Sequence, residues 1–296
     1  MPTLNFAPLE IGIRGDYALH FDKCAEKTSD YTFVNIWAWS DERKYEFAFS
    51  EGYFWPRVTS HGADYWAPVG DWESADWEGT LSRLFPDGMV FNRVPESLAR
   101  IWMERLDGRI ELEEQRSEWE YVYSVEELIT LGGNRFHKKK NLLRQFMRDY
   151  EWEYRPVGGE GVEGILDMQQ IWCEWKNCDD TPGLKAENQA IVRVLKNWDS
   201  LPGLMCGALY VKDVMVAYTV GEPMTEDMSV IHFEKGLSDY KGVYQAINQV
   251  FLERSCSGFK WVNREQDMGV EGVRKAKQSY NPARFLKKYL AKWKGK

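Results

Sequence analysis

The chain has 296 residues, with 46 acidic against 38 basic side chains and a formal net charge of −8. Hydrophobic residues make up 44% and aromatic ones 15%, which excludes a disordered chain and allows two ordinary domains or one large one. No run approaches the ~18 apolar residues of a spanning helix. The start, Met1-Pro-Thr-Leu, lacks the basic-then-apolar pattern of a secretory signal, so the sequence predicts a soluble cytoplasmic protein.

In chain order, residues 17–24 and 33–39 have helical spacing, and 46–49, 53–55 and 65–67 read as three short strands. A helix over 77–85, a strand over 89–91 and a helix over 95–106 opened by Pro95 follow. Strands come next at 110–112 and 119–123. Ser124-Val-Glu-Glu127 is a capping box that opens a short helix; Gly132-Gly133 interrupts it, and a basic helix follows. The later half reads as a strand at 151–157, helices at 162–173 and 184–198, a hairpin of 207–211 with 214–220, and a strand at 229–233. A helix over 243–252, a strand over 259–262 and a helix over 270–279 come last. Pro282 bars that helix from continuing, and a final strand is expected near Phe285.

The two halves share this element order, and Phe91-Asn92-Arg93 matches Val262-Asn263-Arg264, each ending a strand that precedes a helix. An internal duplication is therefore expected. It divides the chain into an N-terminal domain over 1–123, a linker with the basic helix over 124–150, and a C-terminal, catalytic domain over 151–296.

The five cysteines, Cys24, Cys173, Cys178, Cys206 and Cys256, form no C-x-x-C pair. Their odd number argues against a disulfide framework, and they read as buried thiols rather than zinc ligands. Charge is segregated. Residues 134–148 hold six basic side chains and no acid, and 264–296 hold ten basic side chains against three acids. Residues 287–296 read as a solvated basic tail. The 134–148 cluster fits a phosphate-bearing ligand as well as it fits a solvated helix face.

Polar side chains concentrate at Ile231-His-Phe-Glu234-Lys-Gly, Tyr244-Gln-Ala-Ile-Asn248-Gln and Asn263-Arg-Glu-Gln-Asp267. There strands stop and helices start, where backbone donors and the helix dipole are free to hold an anion. The order β-α-α-β-β-β-α-β-α-β resembles the GCN5-related N-acetyltransferases, an α/β fold with a mixed sheet that splays open between two central strands. In that fold the pyrophosphate of an acyl donor rests at the start of the following helix. The corresponding string here, Asp239-Tyr-Lys-Gly242-Val-Tyr244, keeps only the first glycine of the usual phosphate signature. That puts ordinary coenzyme A binding in question.

Longer strings resemble a closer family. Tyr121-Val-Tyr123, Leu131-Gly-Gly, Phe136-His-Lys-Lys-Lys-Asn141, His232-Phe-Glu234-Lys, Asn263-Arg-Glu-Gln-Asp267 and Lys275-Ala-Lys277-Gln-Ser-Tyr280 are similar to the family named after the C-terminal domain of phosphatidylglycerol lysyltransferase. The resemblance implies two tandem acetyltransferase-like domains. It also implies transfer of an aminoacyl group from aminoacyl-tRNA to an acceptor such as a lipid headgroup. The resemblance does not extend to the membrane-embedded half that accompanies the lysyltransferases, so a stand-alone soluble form is expected.

Within that frame, Glu234 is expected to deprotonate an incoming amine or bind an ammonium group, against the plainer reading of a surface ion pair. Tyr244 and Asn248 share a helix face and would protonate and orient a leaving hydroxyl, unless Tyr244 is simply a satisfied core tyrosine. Substrate contacts are expected from His137, Lys138, Lys140, Asn141, Asn263, Arg264, Glu265, Asp267, Arg274, Lys277 and Tyr280. For His137, packing under a helix end is the leading alternative. No metal site is expected and no cofactor is certain; acyl-CoA is the alternative donor. The acceptor would be a small molecule, a lipid headgroup or a peptide. A non-catalytic ligand- or RNA-binding protein on the same fold is the remaining alternative.

Overall fold

The computed structural model describes residues 4–295. The fold is mixed α/β, with two seven-stranded mixed sheets in two compact units. The first unit comprises residues up to Glu120, Gln266–Gly269 and those from Leu286 onward; the second comprises Tyr121–Glu265 and Val270–Phe285.

In the first unit, the strands Tyr45–Ser50, Tyr53–Val58 and Asp64–Trp66 form an antiparallel run. The last of them pairs in parallel with Met89–Pro95 through Tyr65↔Phe91 and Trp66↔Asn92. The second unit repeats the plan. Trp152–Val157, Met205–Val211, Val214–Pro223 and Met228–Gly236 run antiparallel. Met228–Gly236 then pairs in parallel with Trp261–Gln266, the final matched residues being Val230↔Asn263. Asn92 and Asn263 thus sit at the same point of their sheets, so the tripeptide match in the sequence marks a structural repeat.

Each sheet is completed from the other half of the sequence. Lys288–Trp293 lies between Met89–Pro95 and Ile110–Glu114 in the first sheet. Glu120–Ser124 lies between Trp261–Gln266 and Arg284–Leu286 in the second. The expected basic tail is therefore an interior strand, and Lys288 is fully buried rather than solvated. Its ammonium bonds Asp30 and, at 2.5 Å, Glu120, whose carboxylate also accepts from the backbone N–H and hydroxyl of Ser29. Arg93 pairs with Asp30 and, at 3.0 Å, with Glu118. Burial opposes ionisation of Asp30, but Arg93 and Lys288 overcome it and hold the carboxyl well below its ordinary range.

The expected linker also differs. Residues 124–150 belong to the second unit. Ser124 caps Val125–Thr130 by accepting from the Glu127 N–H at 3.3 Å, as its capping box predicts. The basic helix is His137–Asp149, and its Phe146 packs into a core with Val243, Ala246, Ile247 and Val250 of the helix Val243–Ser255. Those positions recur at helical spacing, and each of the larger buried side chains, Phe146, Val243, Ile247 and Val250, contributes roughly 1.5–3 kcal/mol. The cysteine expectation needs correction in part. Cys24, Cys206 and Cys256 are buried free thiols, but Cys173 and Cys178 form a disulfide. Asn177, left-handed at the C-cap of Val162–Lys176, turns the chain back so that the two cysteines meet.

Candidate functional site

The ladder between Met228–Gly236 and Trp261–Gln266 has only three matched pairs, although both strands run on beyond it. A local turn accompanies the parting. The Asn263 side chain accepts from the Glu265 N–H at 2.8 Å, and Glu265 takes a left-handed φ of 57°. Side chains then bridge the strands in place of backbone hydrogen bonds.

Glu234 and Arg264 make the central bridge at 2.9 Å, with 11% and 16% of their side chains exposed. The second oxygen of Glu234 faces the Asn248 amide at 3.4 Å, from the buried side of Val243–Ser255. Burial works against the Arg264 charge, and Glu234 more than restores it, raising its pKa. The Arg264 guanidinium lies 5.1 Å from the Tyr280 ring centroid, and Gln245 donates to the Tyr280 hydroxyl at 3.2 Å. The Lys277 ammonium donates to the Arg264 carbonyl, and the Tyr123 hydroxyl donates to the Lys277 carbonyl at 2.9 Å. Lys139 also approaches this cluster, 4.1 Å from the Tyr280 ring centroid. Burial and the nearby Arg264 push its pKa down.

A second bridge lies two residues before Glu234 on one strand and one residue after Arg264 on the other. The His232 ring faces Glu265 at 2.9 Å and Glu222 at 3.0 Å, with 2% of its side chain exposed. Burial alone would depress the imidazole pKa; the hydrogen bonds to Glu222 and Glu265 overcome it and hold the value at about 9. His232 is therefore an imidazolium at neutral pH, tying three strands together where the sheet opens.

Tyr244 sits near Glu234. Burial raises its pKa, so it remains a protonated hydroxyl. Other expected residues stand apart. His137 Nε2 and Asn141 Nδ2 lie 3.0 Å from each other on an exposed helix face. Lys138 is exposed, Lys140 is half-buried, and Arg274 is half-buried on Glu271–Gln278. Asp267 belongs to the first unit, where it pairs with Arg116 at 3.2 Å and caps the Gly269 N–H. The sequence reading counted Lys139 among the lysines that would reach a phosphate but gave no role to Gln245, His232 or Glu222. A period-2 strand did place His232 beside Glu234, and that was the one available signal for it.

The turn between Met228–Gly236 and Val243–Ser255 is filled from within the chain. Gly242 has φ 89°, and a Cβ on it would lie 2.2 Å from the Leu142 carbonyl oxygen, so only glycine fits. The Tyr150 hydroxyl accepts from the Lys241 N–H at 3.1 Å, and the Tyr150 and Tyr240 rings lie 5.2 Å apart. A backbone donor at the helix start is thus already engaged. No cluster of metal-ligating side chains and no helix long and apolar enough to cross a membrane occurs among the described residues.

The chain thus consists of two units of like topology, and in the second a polar cluster lies where parallel strands part. The family model for the C-terminal region of phosphatidylglycerol lysyltransferase matches residues 21–292, and the chain belongs to that family. A conserved protein of unknown function from Bacteroides thetaiotaomicron is 28% identical, with a TM-score of 0.87 over 98% of this chain and 99% of that one. A C-terminal domain assigned to a lysylphosphatidylglycerol synthetase from Agrobacterium fabrum shares the fold at 14% identity, with a TM-score of 0.63 over 96% and 92% of the two chains. An uncharacterized protein of Mycoplasmoides gallisepticum is 25% identical over 207 residues, which cover 67% of this chain and 66% of that protein.

Proposed function

We propose that the chain is an aminoacyltransferase that takes its aminoacyl group from aminoacyl-tRNA and passes it to an amine or hydroxyl acceptor. Family membership supports aminoacyl transfer in broad terms. The observation that carries the choice of donor is the filled turn at Leu237–Gly242. Leu142 closes on Gly242, and Tyr150 takes the Lys241 N–H that a pyrophosphate would need. Acyl-CoA is the weaker reading for that reason.

In this reading the acceptor attacks the ester carbonyl of the aminoacyl group, and the tetrahedral oxyanion forms among the cations around Arg264. The ester bond to the tRNA hydroxyl then breaks. Glu234 accepts the proton lost by the attacking group, or holds the α-ammonium of the donor. Asn248 fixes its carboxylate, and Tyr244 supplies a proton to the leaving hydroxyl.

The test is to titrate tRNA and acetyl-coenzyme A separately over a salt series. With tRNA as donor, each phosphate contact adds roughly 0.7–0.9 to the slope of log affinity against log salt. Binding then collapses between low and moderate salt, and Lys140→Glu weakens it further. Tight, salt-insensitive coenzyme A binding with no tRNA binding would overturn the proposal. Binding of neither would favour a non-catalytic protein.

A further inference from the structure

We propose that Lys139, Arg264 and Tyr280 form a phosphate subsite, filled by a phosphate group of one of the transfer substrates; this rests on the aminoacyltransferase reading. Two cations share one aromatic ring. The Lys139 ammonium lies 4.1 Å and the Arg264 guanidinium carbon 5.1 Å from the Tyr280 centroid. Either contact alone is a favourable cation–π arrangement. Both together bring like charges close in a half-buried setting, which costs free energy unless an anion joins them.

Glu234 compensates Arg264. No carboxylate pairs with Lys139 among the described residues, where its close contact is the Tyr280 ring. Burial and Arg264 together push its pKa down, the mark of a cation that lacks a counter-charge. Lys277 brings a third cation to the Arg264 carbonyl. The neighbouring hydroxyls supply no negative charge, because burial raises the pKa of both Tyr280 and Tyr123. Lys139 therefore lacks the counter-charge that Glu234 gives Arg264.

A phosphate suits this imbalance better than a carboxylate does. Its oxygens point in several directions, so one can face the Lys139 ammonium and another the Arg264 fork. The Tyr280 ring, held through its hydroxyl by Gln245, is the group that both cations approach. Two substrates could carry the group: the 3′ end of the tRNA donor, or a phosphorylated acceptor.

The test uses isothermal titration of the full chain at low, fixed salt. One probe is the trinucleotide CCA with a 5′-phosphate, for the donor; the other is glycerol phosphate, for the acceptor. Wild type is compared with Lys139→Met, which keeps an apolar stem, and with Lys196→Met, which removes an exposed charge elsewhere in the second unit. One probe is expected to bind wild type and Lys196→Met alike and Lys139→Met about tenfold or more weakly. Which probe does so identifies the source. Without ligand, Lys139→Met should melt at or above the wild-type temperature, and its melting should not rise with added probe. Equal binding of both probes to Lys139→Met and wild type, or binding of neither to wild type, overturns the subsite. Transfer from aminoacyl-tRNA is assayed in parallel on the wild type. Lost transfer with the Lys139-dependent binding intact would remove the transferase reading and leave the subsite standing.

Discussion

Glu234 holds its carboxylate between two unlike donors, the charged Arg264 and the neutral Asn248. Glu234→Gln keeps the shape and removes the charge and the basicity. Transfer should fall about 100-fold or more in single-turnover assays, with tRNA affinity changed far less. An undiminished rate would remove Glu234 from the chemistry. His232 makes a pH prediction. Its pKa is raised from 6.5 to about 9 in the folded chain, which corresponds to roughly 3 kcal/mol of stability. A raised pKa stabilises fully below the unfolded value of 6.5; the contribution declines between 6.5 and 9 and is gone above. Unfolding free energy from urea titrations should therefore drop more steeply from pH 6.5 to 9 in wild type than in His232→Gln. Parallel curves would show that the imidazolium contributes nothing. The role proposed for Glu234 came from the sequence, but the His232 bridge was not legible there. Glu222 and Glu265 reach His232 only because three strands meet, and which of three consecutive lysines faces Tyr280 depends on a helix phase that the pattern at 137–141 leaves open.

Among elements, those with clear apolar periodicity were legible to within a few residues, such as Val243–Ser255 and Val214–Pro223. Lys288–Trp293 was not. With lysines at 287, 288, 292 and 294 it reads as solvated, and a buried lysine makes sense only beside Asp30 and Glu120, far off in sequence. Lys288→Met should accordingly cost about 3–5 kcal/mol, since it leaves buried carboxylates without their cation. A urea titration followed by tryptophan fluorescence reads this well, because the first unit is rich in buried indoles; a change within experimental error would show that the network is not needed. The disulfide escaped notice for a similar reason, as it depends on the left-handed turn at Asn177. Gly242→Ala should cost about 1–3 kcal/mol through backbone strain and the Leu142 contact. The same substitution loosens the packing of His137–Asp149 on Val243–Ser255. An unchanged melting temperature would mean that the turn is less tightly filled than described.

For the molecule as a whole, the duplication was readable from element order, but the chain does not divide at one point along its length. The first sheet lacks an interior strand until Lys288–Trp293 arrives. During synthesis, everything up to Ile110–Glu114 leaves the ribosome long before that strand exists. The gap then exposes backbone donors and acceptors on both flanking strands, a surface prone to pairing with other chains. Completion also requires contacts of very high sequence separation, which slows folding. Refolding from urea should therefore show the tryptophan signal of the first unit maturing late. A chain truncated after Leu286 should aggregate instead of yielding a soluble N-terminal unit, and a folded, monomeric product would contradict this. The last strand to be made decides whether the first sheet survives its own synthesis, which makes helper proteins that shield nascent edges a natural requirement for this chain in the cell.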